Sequence, residues 1–139
     1  MTLLTHRGHG PSFPYAGQPM HVLAGQDGLP AGFAAMELTV PPHFAGPIPH
    51  AHDEFDEAIY VLRGRLLVHG DGEPAEAVPG SLFVAPRGHR HGFSNPSAEG
   101  ALVLGIWAPV LPGALLSPGA PVLPAYRFSW CSCVSSTLS

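Results

Sequence analysis

The sequence contains no lysine, and its six basic residues are arginines that do not cluster. Aspartate and glutamate together number ten, so the formal net charge is −4 at pH 7 with histidine counted as neutral. A protein that binds nucleic acid needs a basic patch or stripe to neutralise phosphates. Because this sequence has no such patch, we expect no nucleic-acid partner.

Cysteine and long apolar runs are also scarce. The two cysteines, Cys131 and Cys133, lie close together near the end of the sequence, which excludes a disulfide scaffold. No apolar run approaches the roughly 20 residues that a membrane-spanning helix needs. The first residues, MTLLTHRGHGPSFP, lack the basic start and long apolar segment of a signal peptide. We therefore expect no membrane partner and a cytoplasmic location.

Glycine and proline, in contrast, are abundant at 17 residues each, and they are spread between short apolar runs. That spacing is typical of an all-β domain with many turns. The 139 residues, 45% of them hydrophobic and 12% charged, suffice for one domain with one core. Nine histidines are a high count for this length, and histidine is the commonest metal ligand.

Short strands are predicted at near-regular spacing, with no amphipathic helix between them, which is typical of a β-sandwich or barrel. The predicted strands cover residues 20–23, 33–40, 57–62, 65–69, 75–78, 81–85, 89–95 and 101–107. Arg63-Gly64 is predicted to be a turn that pairs the fourth of these strands with the third as a hairpin.

The predicted domain organisation follows from where the breaks concentrate. Early glycines and prolines indicate an irregular N-terminal arm, and prolines followed by serines indicate a tail after the last strand. We expect an arm over 1–19, a single barrel over 20–108 and a Pro/Ser-rich C-terminal tail over 109–139.

The stretch IPHAHDEFDE crowds metal-capable side chains into one short segment. His50 and His52 are two apart, so in an extended chain both project from one face, roughly 6.5–7 Å apart along the strand. Glu57 follows His52 by five residues, so in an unbroken strand its side chain would point to the opposite face. It can join the histidines only if Asp53–Asp56 bends the chain, which aspartate favours. Taken alone, the segment is either an exposed polar loop or half of a metal site.

A second cluster follows in the stretch GSLFVAPRGHRHGFSN. Gly80 permits a tight entry turn, and Pro86 with Gly88 makes a corner that cannot continue a strand. His91 then begins a new strand and shares a face with Asn95. A histidine at the mouth of one strand, opposite a histidine pair on another, is a way for a barrel to assemble a metal site.

Together the two stretches resemble the two motifs of the cupin superfamily, in the same order. The first fits His-x-His-x4-Glu-x6-Gly, and the second fits Gly-x5-Pro-x-Gly-x2-His-x3-Asn. The matching positions are His50, His52, Glu57 and Gly64, then Gly80, Pro86, Gly88, His91 and Asn95. The spacer, 65–79, is similar to that of the short-spacer microbial members. The resemblance covers about residues 33–107, and Gly46 only loosely matches the glycine ahead of the first motif.

The resemblance implies a small jelly-roll (double-stranded β-helix) cupin barrel that holds one divalent transition metal. The implied ligands are His50, His52, Glu57 and His91. Imidazole and carboxylate donors suit Fe, Mn, Ni, Cu or Zn. One carboxylate against a divalent ion leaves a formal charge of about +1, which favours an anionic oxygen ligand. A homodimer, the common form of the family, is also expected.

Several polar residues near the motifs have a plainer expected role. Asp53, Glu54 and Asp56 could substitute for Glu57, but we expect them to be surface groups or partners of the imidazoles. His43 and His89 are expected to face solvent. Asn95 is expected to brace a turn rather than take part in chemistry. Trp107 belongs to a group of apolar residues that are expected to lie mostly in the core, with some of them lining the cavity.

The resemblance to quercetin-dioxygenase-like cupins favours a metal-dependent dioxygenase acting on a small oxygen-chelating substrate, with Glu57 released from the metal as general base. With zinc, the same site would instead favour cyclisation, isomerisation or hydrolysis. A ligand-binding cupin without catalysis and a closed structural zinc site remain as alternatives.

Overall fold

A computed structural model describes residues 2–25 and 31–109, so almost all of the predicted tail and most of the turn expected at 25–30 lie outside it. The described residues form nine strands, which confirms the all-β class. These are β1 Ser12–Tyr15, β2 Gln18–Ala24, β3 Ala34–Val40, β4 Asp56–Arg63, β5 Leu66–His69, β6 Ala75–Ala77, β7 Leu82–Ala85, β8 Gly92–Ser94 and β9 Ala101–Ala108. Over the described ranges, no helix is long and apolar enough to cross a membrane.

The strands form two antiparallel sheets that face each other as the walls of a jelly-roll barrel. One sheet has six strands in the order β1-β2-β3-β9-β4-β7, and the other has three in the order β6-β5-β8. The core between them takes side chains from both walls, among them Val61 and Val103 from the larger sheet and Leu66 and Phe93 from the smaller. The fold expected from the sequence is therefore confirmed.

Strands β4 and β9 are neighbours in the larger sheet, and their inward faces carry the residues that matter for function. Because side chains alternate between the faces of a strand, Glu57, Ile59 and Val61 of β4 are all buried. The same alternation buries Val103 and Trp107 of β9. In the β4–β9 ladder Glu57 lies opposite Trp107, so a carboxylate enters the apolar interior beside an indole ring.

The N-terminal arm is not irregular throughout, contrary to the prediction for 1–19. Strand β1 pairs with β2 as a hairpin at the edge of the larger sheet, and Tyr15 is buried in the core. Pro14 made this segment look broken, but a proline is tolerated in an edge strand because its missing N–H costs no ladder bond. The larger sheet therefore extends further towards the N-terminus than the predicted start at residue 20.

The predicted pairing of 65–69 with 57–62 is wrong, because β5 pairs with β6 and β8 in the smaller sheet. The chain changes sheets at Gly64, whose φ of 77° lies in the left-handed region. A Cβ atom at this position would lie 2.7 Å from the Cα of Ala101, so the corner passes directly against the start of β9. Only glycine combines that conformation with that approach.

Candidate metal centre

The two sequence motifs are joined through their backbones. The amide of His50 donates to the carbonyl of His91 at 3.0 Å, and the amide of His91 donates back to the carbonyl of His50 at 2.8 Å. The amide of Gly88, at the corner of the second motif, donates to the carbonyl of His52 at 2.6 Å. These bonds fix the distance between the motifs independently of the side chains.

The predicted bend between the histidine pair and Glu57 is present at Asp53 and Glu54, and β4 begins two residues later at Asp56. The bend brings Glu57 back to the imidazoles. One of its carboxylate oxygens, Oε2, lies 3.1 Å from Nε2 of His52 and 3.4 Å from Nε2 of His91. Glu57 is only 2% exposed, which makes it an interior carboxylate rather than a surface charge.

His50, His52, Glu57 and His91 each offer one ligand atom, and these four atoms lie within 4.8 Å of one another. Ligand bonds of 2.0–2.2 Å place two donors on opposite sides of an ion at most about 4.4 Å apart. Shifts of a few tenths of an ångström would therefore suffice to enclose a transition metal. Within residues 2–25 and 31–109, this is the one group of three or more potential metal-binding side chains with such geometry.

Backbone carbonyls set the orientation of two of the rings. Nδ1 of His50 donates to the carbonyl of Ile48, and Nδ1 of His91 donates to the carbonyl of His89, both at 2.9 Å. A carbonyl can only accept, so each Nδ1 carries a proton. In the neutral rings the lone pair is then on Nε2, the protonation state that metal-binding histidines use.

The charges of the cluster favour a cation. Burial alone would raise the pKa of Glu57, but hydrogen bonds from His52 and His91 outweigh it and lower the pKa to about 2. Burial also disfavours the charged form of His50, which for a histidine lowers the pKa. For His91, burial is outweighed by the hydrogen bond to Glu57, so the pKa of this ring is raised. The carboxylate therefore stays anionic, and a positive charge beside it is stabilised.

The other acids of the first motif lie at the surface, as expected. Asp53 and Glu54 are exposed. Asp56 accepts a hydrogen bond from the backbone amide of Arg87 at 2.9 Å, and its two oxygens accept from the guanidinium at 3.1 and 3.2 Å. This forked pair ties the corner of the second motif to the start of β4.

The remaining expectations for the motif residues also agree with the structure. His43 is exposed, and His89 is an exposed side chain that pairs with Asp71 at 2.9 Å. Asn95 is fully buried and braces a turn: Nδ2 donates to the carbonyls of Pro41 and Glu99, and Oδ1 accepts from Ser97.

Trp107 is the residue whose role the sequence did not reveal. It is buried, as expected of a core residue, but its Nε1–H donates to Oε2 of Glu57 at 3.1 Å. The contact arises from the register that places Trp107 opposite Glu57, and no local pattern specifies the register between strands so distant in sequence. A second aromatic residue, Phe55, contacts the cluster, since its ring centroid lies 4.3 Å from that of His52.

Comparison with known proteins agrees with this architecture. The family model described as a cupin domain matches residues 36–108, more than half of the chain. A search of curated proteins found no match to this sequence.

Solved structures with the same fold include two that are 25% identical to the chain. The polyketide cyclase RemF from Streptomyces resistomycificus has a TM-score of 0.63, and the match covers 78% of this chain and 80% of that one. KdgF from Halomonas sp. has a TM-score of 0.60, with 71% and 87% covered. An RmlC-like cupin from Shewanella frigidimarina is 19% identical, with a TM-score of 0.65 and 78% and 92% covered, and shows the fold alone.

Proposed function

Because the chain belongs to the cupin domain family, as the match over residues 36–108 shows, we propose that it is a metal-dependent enzyme acting on a small substrate that chelates through oxygen. The observation that carries the proposal is the convergence of His50, His52, Glu57 and His91, whose ligand atoms lie within 4.8 Å of one another. A divalent transition metal bound there would supply Lewis-acid chemistry and hold substrate oxygens in place.

The residues themselves favour an anionic substrate. Glu57 neutralises one of the two charges of a divalent ion and leaves about +1 on the site. Since that charge would lie in a largely buried environment, an enolate, phenolate or carboxylate oxygen would be attracted more strongly than a neutral one. His50 and His91, each held by a backbone carbonyl, keep the ligand frame rigid while substrate enters.

Glu57 would act as general base only after it leaves the metal. In the metal-free protein, hydrogen bonds from His52 and His91 outweigh burial and lower its pKa to about 2, and a cation held by the same residues would also favour the anionic, weakly basic form. Burial acts in the opposite direction and would raise the pKa of a carboxylate that has left its positively charged partners. We therefore propose that release of Glu57 from the metal would create the base that removes a proton from the bound substrate.

For the reaction itself, we propose a dioxygenase-type oxidation, in which both atoms of O₂ enter an enolate-forming substrate. The buried carboxylate, with three imidazoles around it, provides a donor set suited to the redox-active metals Fe, Mn, Ni and Cu. The apolar side chains behind the cluster would exclude water from the reacting oxygens.

A zinc-dependent cyclisation or isomerisation is the second candidate, and the likeness to the polyketide cyclase RemF favours it. The same donors suit zinc, and the same preference for an enolate oxygen would then serve ring closure without an oxidant. The third candidate, after these two, is a cupin that binds the small ligand without converting it.

The test combines metal analysis with O₂ uptake. Protein purified without added metal is analysed for bound metals and then mixed with flavonol and β-diketone substrates in an oxygen-electrode cell. Bound Fe, Mn, Ni or Cu with O₂ consumption supports the dioxygenase. Bound zinc with a product of substrate mass, or substrate mass less water, and no O₂ uptake supports the cyclase or isomerase. Metal and ligand binding without any product points to a binding protein, and wild-type protein that binds no metal contradicts the whole proposal.

A further inference from the structure

Trp107 and Glu57 face each other across the β4–β9 ladder, and both are almost fully buried. Directly opposed residues on one face of an antiparallel pair have Cβ atoms about 4.5–5.5 Å apart. The hydrogen bond from Nε1 of Trp107 to Oε2 of Glu57, at 3.1 Å, is therefore set by strand register rather than by a flexible reach.

The indole can occupy its position because Gly105, two residues earlier on the same inward face of β9, has no side chain. A Cβ atom built there would overlap Cη2 of Trp107 and lie 2.9 Å from Cζ3 and 3.1 Å from Cζ2. All three atoms belong to the six-membered ring of the indole. With that ring lying over Gly105, the nitrogen-bearing edge is directed at Glu57.

Trp107 shares Oε2 of Glu57 with His52 and His91, but the three nitrogens are not equivalent. His91 uses Nδ1 for the carbonyl of His89, so Nε2 is the nitrogen it can offer a cation, and a ligating Nε2 no longer donates to the carboxylate. An indole N–H is a donor only and does not ligate. Its hydrogen bond to Glu57 is therefore one that metal binding leaves available.

We propose that Trp107, seated over Gly105, is a positioning residue that holds the carboxylate of Glu57 towards the metal in both the metal-free and the metal-loaded protein. The inference rests on the metal centre of the proposed function and extends it to a residue outside the ligand set. Partners that hydrogen-bond to a metal ligand typically contribute 10- to 100-fold to metal affinity. Loss of the indole N–H is expected to weaken metal binding by roughly that factor.

The first experiment compares metal affinity by chelator competition, using Zn²⁺ and Co²⁺ as probes. Trp107→Phe keeps an aromatic ring and removes the N–H, while Trp107→Leu also removes most of the packing. We expect both variants to lose about 10- to 100-fold in affinity and to change the visible Co²⁺ spectrum, although only Trp107→Leu is strongly destabilised. If metal affinity fell only in the strongly destabilised Trp107→Leu and stayed at the wild-type value in Trp107→Phe, Trp107 would have a packing role and the proposal would be wrong.

A glycine pair supplies the matched control. Gly105→Ala retains the indole but displaces it, so its metal affinity should fall in the same direction as in Trp107→Phe. Gly100→Ala introduces the same methyl group near the start of β9, where its Cβ would meet only the carbonyl of Val40 at an ordinary 3.5 Å. This variant should bind metal like the wild type. Equal affinities for the two alanine variants would contradict the role of Gly105.

An independent readout follows the indole N–H itself by NMR. The signal of Trp107, identified by its absence in Trp107→Phe, should be shifted downfield, exchange slowly and persist when Zn²⁺ is added. Glu57→Gln should return it towards an ordinary position. If the wild type binds zinc while this signal reverts to a free indole position, the positioning role is wrong and the metal site stands. If the wild-type protein binds neither Zn²⁺ nor Co²⁺, both the positioning role of Trp107 and the metal site are wrong.

Discussion

His50 and His91 exchange two backbone hydrogen bonds, at 3.0 and 2.8 Å, and their imidazole rings lie 4.7 Å apart. One residue belongs to the first motif and the other to the second, so this bridge is where the two halves of the site meet. Because the main chain sets the spacing, the rings do not have to be gathered by long, flexible side chains. Such preorganisation lowers the entropic cost of binding a metal.

The first prediction uses two histidines that lie close together in the second motif. His91→Ala should reduce metal affinity at least ~100-fold, since it removes a ligand rather than a partner of a ligand. His89→Ala should leave it unchanged, because this exposed side chain pairs with Asp71 instead. Metal content after dialysis and chelator competition measure the difference. If His91→Ala and His89→Ala retained equal amounts of metal, His91 would not be a ligand.

The second prediction concerns pH. Glu57 raises the pKa of His91, so below that raised pKa the ring carries a proton that a metal must displace. The pKa of Glu57, at about 2, is too low for its protonation to compete near neutral pH. Metal affinity should therefore fall by up to about tenfold per pH unit as the pH drops below the ordinary histidine pKa of about 6.5. Chelator competition at several pH values, with His89→Ala as the control, measures this slope, and a flat profile would exclude histidine ligation.

Much of the candidate site was predictable because it depends on short-range rules. Period-2 alternation places His50 and His52 on one side, and turn-forming aspartates explain how Glu57 rejoins them despite its parity. The proline and glycine before His91 predict only the corner at which a new strand starts, and the place of His91 among the ligands was implied by the resemblance of the two motifs to the cupin superfamily. These rules act over a few residues, so a single sequence reveals them.

What could not be predicted depends on pairing between distant strands. The contact between Glu57 and Trp107 exists only because β4 and β9 align in one particular register. The wrong hairpin at Gly64 has a related cause: glycine predicts a tight corner, but not whether the chain returns along the same sheet or enters the other. Pairing partners are decided by burial over the whole barrel, and no local pattern of residues encodes that balance.

The homodimer expected from the sequence leads to a third prediction. Outward-facing side chains of β4 and β7 form an exposed apolar patch in the described part of the larger sheet, consisting of Tyr60, Leu62, Leu82 and Val84. In the ladder Tyr60 lies opposite Leu82, so the patch is continuous across the two strands. A patch without charge can pack against its own copy about a two-fold axis.

Light scattering coupled to size exclusion should therefore give twice the chain mass for the wild type and a single chain mass for Val84→Asp. Leu4→Asp places the same charge at an exposed leucine outside the patch and should leave the dimer intact. Wild-type protein that elutes as a single chain at high micromolar concentration contradicts this prediction.

The last prediction concerns Gly46, in the loop that leads to His50. Its φ of 87° lies in the left-handed region, and a Cβ atom there would overlap the carbonyl oxygen of Phe93. The loop can therefore lie against β8 only with glycine at this position, and this approach brings His50 alongside His91. Backbone strain and overpacking together should cost Gly46→Ala about 2–5 kcal/mol in the free energy of unfolding.

Gly72 provides the matched control, since a Cβ atom there meets nothing within 4 Å and its φ lies outside the left-handed region. Gly72→Ala should change the free energy of unfolding by no more than about 0.5 kcal/mol. Urea unfolding measures both variants, and metal content measures the consequence for the site. Gly46→Ala should also bind metal more weakly, because a displaced loop moves His50 away from its bridge to His91. If Gly46→Ala were as stable as Gly72→Ala, this loop would not set the position of the first motif.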